Sequence, residues 1–210
     1  MLFPKTGLYA ITQTDDNDAE QVIADVATAI KGGAVVIQYR DKSPIDAVYL
    51  STELLKLCRR HHIPLLINDD IQLAATIGAD GVHLGNDDGD IEHARHQLGD
   101  QAIIGISCYN DIQYALTCEK KGASYVAFGR FFTSSSKPLA APAAIETLTQ
   151  AKAQLTLPIV AIGGILPENG GELLTAGADV LAVIGGLFNK NIEASSNAYQ
   201  PLFIKNSFKT

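Results

Sequence analysis

GADGVHLG, Gly78 to Gly85, is the stretch from which the fold can be read. It opens on a glycine that ends a helix-like segment, passes through an apolar run and leads into the polar sequence NDD at Asn86–Asp88. The same order recurs at GGAVVIQYR from Gly32, GASYVAFG from Gly122 and GADVLAVIGG from Gly177. Glycine suits a helix C-terminus, where a left-handed backbone is easiest without a side chain. The echoes lie 44 to 55 residues apart. That is room for two strand–helix units, so a second strand is expected with each echo. GLYAIT (Gly7–Thr12), PLLIND (Pro64–Asp69), AIIGIS (Ala102–Ser107) and PIVAIGG (Pro158–Gly164) meet that expectation.

These eight runs are short, near-continuously apolar and rich in Val, Ile and Leu, as strands buried on both faces of a parallel sheet must be. Helical segments lie between them. AEQVIADVATAIKGG places Val22, Ile23, Val26, Ala29 and Ile30 on one face. In PIDAVYLSTELLKLCRRH, Pro44 is expected to open the helix. Eight alternating units close into an α/β fold of the (β/α)8 TIM-barrel type, a single domain over residues 1–210. An open doubly wound sheet is the rival, but no glycine-rich dinucleotide loop follows Thr12. The polar C-terminal stretch is expected to pack as a last helix with a frayed end.

A chain of 210 residues with 47% hydrophobic and 19% charged residues can build a sizeable core. The net charge of −7 and the lack of a basic block argue against nucleic acid as a partner. Cys58, Cys108 and Cys118 show no metal or redox spacing and read as reduced thiols. The N-terminal residues lack signal-peptide features, and no apolar run is long enough for a membrane. The expectation is a cytoplasmic protein acting on small molecules, with homo-oligomerisation left open.

In a barrel, all strand C-termini face one mouth, and active sites form there. The strand ends here are Arg40 and Lys42, Asn68 and Asp69, Asp88, Ser107, the stretch Ser134–Lys137, Gly163 and Gly164, and Ile184–Gly186. They are almost entirely polar or glycine, against almost entirely apolar strand interiors. Asp69 and Asp88 beside cationic residues suit magnesium and a phosphate or pyrophosphate. Asp70, Asp87 and Asp90 read as helix caps or surface charge. The glycine pairs at strands seven and eight suit a phosphate approached by backbone N–H groups. The Ser-rich loop with Lys137 suits a second anionic group. Among the histidines, His61 and His62 end a helix, His93 and His96 lie on a surface helix, and His83, inside strand four, is expected to pack in the barrel interior. Cys108 has no base partner in the sequence.

IQYRDK, INDD, ADGVHLGNDD, GIS, SSSK, IGGI and VIGG occur in the order and spacing of thiamine phosphate synthases, and the resemblance spans nearly the whole chain. It implies coupling of 4-amino-2-methyl-5-hydroxymethylpyrimidine diphosphate to a hydroxyethyl-thiazole phosphate with release of pyrophosphate. The segment Gln38, Tyr39, Arg40, Asp41, Lys42, with Asn68, would then hold the pyrimidine diphosphate. Asp69 and Asp88 would bind Mg2+, and Ser107 would contact the pyrimidine. The loop residues Ser134, Ser135 and Ser136 would meet the thiazole phosphate. Gly164, Ile184 and Gly185 would form the phosphate cradle. Lys137, Arg40 and Ser107 would act in the chemistry, Lys137 by neutralising pyrophosphate. The chain departs from the family pattern where Thr133 stands for a proline, Ser134 and Ser136 for threonines, and Gly185 for a serine.

Two other readings stay open. A thiazole tautomerase-like isomerase would share the barrel and cradle but would need neither both aspartates nor the Arg40–Lys42 pair. A non-catalytic thiazole phosphate-binding relative would have kept the barrel without releasing pyrophosphate.

Overall fold

Eight parallel strands, each paired with the next and the last with the first, close a barrel in this computed structural model. The structure describes residues 1–14, 18–85, 90–133, 142–189 and 191–206. The strands are β1 Gly7–Ile11, β2 Ala34–Tyr39, β3 Leu65–Asn68, β4 Gly81–Leu84, β5 Ile103–Tyr109, β6 Tyr125–Phe128, β7 Ile159–Ile162 and β8 Val180–Val183. Helices α1 Ala19–Lys31, α2 Ala47–Arg60, α3 Ile71–Ile77, α4 Ile91–Leu98, α5 Ile112–Lys120, α6 Glu146–Lys152 and α7 Pro167–Ala176 follow β1 to β7 in turn. A short α8 (Gly185–Phe188) and a closing α9 (Ile192–Asn206) follow β8.

The helix starts have a simple cause. Asp18, Asp46, Asp70 and Asp111 each accept a hydrogen bond from the backbone N–H three residues on, capping α1, α2, α3 and α5. The α2 cap corrects one expectation. Pro44 does not open the helix, because Asp46 caps it and the first helical residue is Ala47.

The glycine echo also has a structural cause. Gly33, Gly78, Gly122 and Gly177 all take positive φ, turning the chain out of a helix towards the next strand. The residue two places after the last three of these glycines then reaches back to the preceding strand. Asp80 accepts from Leu65 N at 3.0 Å, Ser124 from Ile104 N at 3.0 Å and Asp179 from Ile159 N at 2.8 Å. Each clasp joins an even strand to the start of the odd strand before it, which is why the motif recurs every second strand.

Strand alternation divides the core in two. Outward side chains such as Leu8, Ile37, Leu65, Val82 and Ile104 pack beneath the helices. Inward ones, among them Tyr9, Val36, Leu66, Ile103, Tyr125, Val160 and Val180, fill the barrel with Phe3. The Phe3 ring stacks on Tyr125 with centroids 3.9 Å apart. The helix α9 packs on α1, α7 and β1. There the buried Tyr199 donates its hydroxyl to Ile165 O at 2.9 Å, and Gln200 Nε2 donates to Gly32 O at 2.9 Å. All three cysteines are buried and free. No helix among the described residues is long and apolar enough to cross a membrane.

Candidate functional site

The alternation that makes the lower barrel apolar makes its mouth polar. The inward rows of β2 to β5 begin with an apolar or glycine position and end at the mouth with Gln38 and, just past β2, Arg40, then Asn68 on β3, His83 on β4 and Ser107 on β5. These residues line a cavity of about 500 Å³, with Asp69, Gly164, Ile184 and Gly185 also in its wall. That volume lies within the range of small-molecule sites.

Arg40 is held by its backbone. Thr12, buried at the end of β1, accepts from Arg40 N at 2.9 Å and donates its hydroxyl to Arg40 O at 3.0 Å. Asp69 takes a left-handed backbone with φ 63°, a region aspartate tolerates better than most residues. Its N–H donates to His83 O at 2.9 Å, and the Asn68 side-chain amide donates to its carboxylate. One residue later, Asp70 is committed to capping α3, so the two adjacent carboxylates divide the work between cavity and helix.

After β7, Gly163 and Gly164 have φ of 104° and 64°. A Cβ on Gly164 would collide with Thr133 O and with Phe132, so neither the conformation nor the space admits a side chain. Gly185 and Gly186 begin α8, where the first amides of a helix have no intrahelical acceptor.

Beneath the cavity runs a chain of side-chain hydrogen bonds. Gln38 Nε2 donates to the Tyr9 hydroxyl at 2.6 Å, and the Tyr9 and Tyr125 hydroxyls lie 2.9 Å apart. The Tyr125 hydroxyl is 2.8 Å from His83 Nδ1, and His83 Nε2 is 2.9 Å from Ser107 Oγ. Burial raises both phenol pKa values above the ordinary range, so each tyrosine keeps its proton.

A family model for thiamine monophosphate synthase matches residues 8–187. The chain belongs to the thiamine monophosphate synthase family. Within this family, the thiamine-phosphate synthase of Nitrosococcus oceani is 52% identical over 200 residues, spanning 94% of this chain and 92% of its own. That of Methylococcus capsulatus is 50% identical over 188 residues, spanning 89% and 84%. Among solved structures, a thiamine phosphate pyrophosphorylase from Pyrococcus furiosus superimposes with a TM-score of 0.85 at 30% identity, covering 96% of this chain and 97% of its own. As a member of this synthase family, the chain is a transferase enzyme.

Of the residues expected to serve the synthase site, Gln38, Arg40, Asn68, Asp69, Ser107, Gly164, Ile184 and Gly185 meet in one cavity wall. Tyr39, Asp41 and Lys42 do not line it. The pleat that turns Gln38 inward turns Tyr39 outward, into the layer beneath the helices. There its hydroxyl donates to Asp41 at 3.3 Å, and Asp41 also accepts from Ser43 N at 2.9 Å. Lys42 is exposed in the loop that follows. Asp88, Ser134, Ser135, Ser136 and Lys137 lie outside the described residues.

Sequence reading also missed several residues. His83 was expected only to pack in the interior, yet its ring lines the cavity and reaches Ser107. Arg130, just after β6, also lines the wall, with its guanidinium near the Phe132 carbonyl at 3.5 Å. Thr12 carries no chemical signal in sequence beyond closing a strand. For Arg130, a cation directly at a strand end was a usable sign.

Proposed function

We propose that this enzyme couples 4-amino-2-methyl-5-hydroxymethylpyrimidine diphosphate to hydroxyethyl-thiazole phosphate, giving thiamine phosphate and pyrophosphate. The observation that carries this reading is the single cavity in which Arg40, Asn68, Asp69 and Ser107 face the glycine turns after β7 and β8. One flank offers cation and carboxylate for a diphosphate, and the other offers backbone for a phosphate monoester.

The pyrimidine methylene carbon loses pyrophosphate to leave a cation stabilised by the electron-rich ring. Such a step needs no strong base or nucleophile. It needs the leaving charge neutralised and the thiazole nitrogen held in line. Arg40 and Lys137 would take up the growing pyrophosphate charge, and Ser107 and Gln38 would orient the ring. Gly164, Ile184 and Gly185 would hold the thiazole phosphate through backbone groups.

The donor chemistry around Asp69 fits magnesium. A hard oxygen ligand faces the cavity, oriented by the Asn68 amide, and magnesium is commonly held by one or two carboxylates plus substrate oxygens. Asp69 and Asp88 would hold the ion. When bound, it would supply charge neutralisation to the diphosphate.

The test is pyrophosphate release from the purified protein with both substrates, each alone, and with a chelator. Magnesium-dependent release requiring both substrates is the expected result. Turnover of a thiazole carboxylate phosphate without the pyrimidine would instead identify an isomerase.

A further inference from the structure

Five side chains from five strands form one unbroken relay across the barrel floor: Gln38, Tyr9, Tyr125, His83 and Ser107. Both ends line the cavity, while the two tyrosines lie below it, fully buried. In such a dry interior an unmatched donor or acceptor is costly, so the protons along the relay must run consistently.

The polarity follows from one end. An amide nitrogen only donates, so the Tyr9 oxygen accepts from Gln38 and the single Tyr9 proton goes to the Tyr125 oxygen. The Tyr125 proton then goes to His83 Nδ1, and the neutral ring carries its hydrogen on Nε2, which donates to Ser107 Oγ. The Ser107 proton is left pointing away from His83.

We infer that the relay fixes His83 as the Nε2–H tautomer and thereby presents the Ser107 hydroxyl to the cavity as a hydrogen-bond donor, matched to an acceptor atom of the substrate. Tyr9, Tyr125 and His83 are positioning residues acting through Ser107, and Gln38 sets their direction. The second half of this inference rests on the proposed contact between Ser107 and the pyrimidine. The tautomer is a property of the protein alone.

The experiment is 15N NMR of the ligand-free protein with labelled histidine, the His83 signals being identified by their loss in His83→Gln. A pyridine-like Nδ1 and a pyrrole-like Nε2 are expected. In Tyr9→Phe, which removes one oxygen outside the cavity, both signals should move towards an averaged position. In turnover assays, Tyr9→Phe should raise KM for the pyrimidine diphosphate about tenfold, the equivalent of one lost hydrogen bond, with a smaller change in kcat. Glutamine at 83 can accept from Tyr125 and donate to Ser107, so His83→Gln should retain most of the activity that His83→Leu loses. A pyrrole-like Nδ1 in the wild type would overturn the inference, as would Tyr9→Phe spectra and KM unchanged from the wild type. Absence of any pyrophosphate release would refute the proposed function while leaving the tautomer result standing.

Discussion

Gly105 faces Tyr125 across the β5–β6 pair, and a Cβ at residue 105 would fall on the phenol ring. The missing side chain on β5 is therefore the space in which the Tyr125 ring lies, between Phe3 and His83. Gly105→Ala should lower stability by about 1–3 kcal/mol, as overpacked cores do. It should also raise KM for the pyrimidine diphosphate by displacing the Tyr125 hydroxyl from His83. Denaturant unfolding with matched kinetics checks both. Wild-type stability in this variant would show that the ring has room to shift.

Gly185 differs from the glycine pair after β7, Gly163 and Gly164. Its φ is not left-handed, and a Cβ there would closely approach only the Asn189 side-chain amide, at 2.8 Å. Asn189 is exposed and can move. Gly185→Ser should fold normally and lower KM for the thiazole phosphate about tenfold, through one added hydroxyl contact to a charged group. An unchanged KM would remove that contact. By contrast, a Cβ at Gly186 would strike Ile165 O at 2.5 Å, so Gly186→Ser should destabilise the barrel.

The Asn68 amide orients the Asp69 carboxylate. Groups that hold a metal ligand in place typically contribute about 10–100-fold in metal affinity. Asn68→Ala should raise the magnesium concentration for half-maximal activity by about that factor. Asp69→Asn should abolish magnesium-dependent turnover without loss of thermal stability, because the side chain is exposed at the mouth. Near-normal turnover in Asp69→Asn would exclude it as a ligand.

Glu119, near the end of α5, clasps the loop before β7. Burial acts to raise its carboxyl pKa, but three hydrogen bonds outweigh it: Thr156 N at 2.8 Å, Thr156 Oγ1 at 2.7 Å and Leu157 N at 3.2 Å. The net shift is downward. A carboxyl held below its unfolded pKa adds stability that is fully present above that value and is lost as pH falls through the folded one. The stability difference between wild type and Glu119→Gln should therefore be largest near neutral pH and should close on acidification. Urea unfolding at several pH values measures this, and a pH-independent difference would contradict it.

Much of the architecture was legible because it is written in local chemistry. The clasps of Asp80, Ser124 and Asp179 need a particular residue at a particular distance after a turn glycine, so they leave a repeat in the chain. Strand ends such as Arg40, Asn68 and Ser107 stood out because polar residues broke apolar runs. Tyr39 was misplaced for a related reason. It lies inside a motif, but the pleat gives adjacent residues opposite faces, and only the register with β1 and β3 shows which face is which.

The sequence by itself determined the eight strand–helix units, the mouth at which their chemistry gathers and the kinship with thiamine monophosphate synthases. Tertiary structure alone decided that Tyr9 meets Tyr125, 116 residues away, and that His83 joins Tyr125 to Ser107. Barrel closure and stagger bring inward residues of different strands to one height, and no local spacing encodes that stagger. A histidine that reads as core filler in one strand thus becomes, in the closed barrel, the link between a buried phenol and the cavity wall.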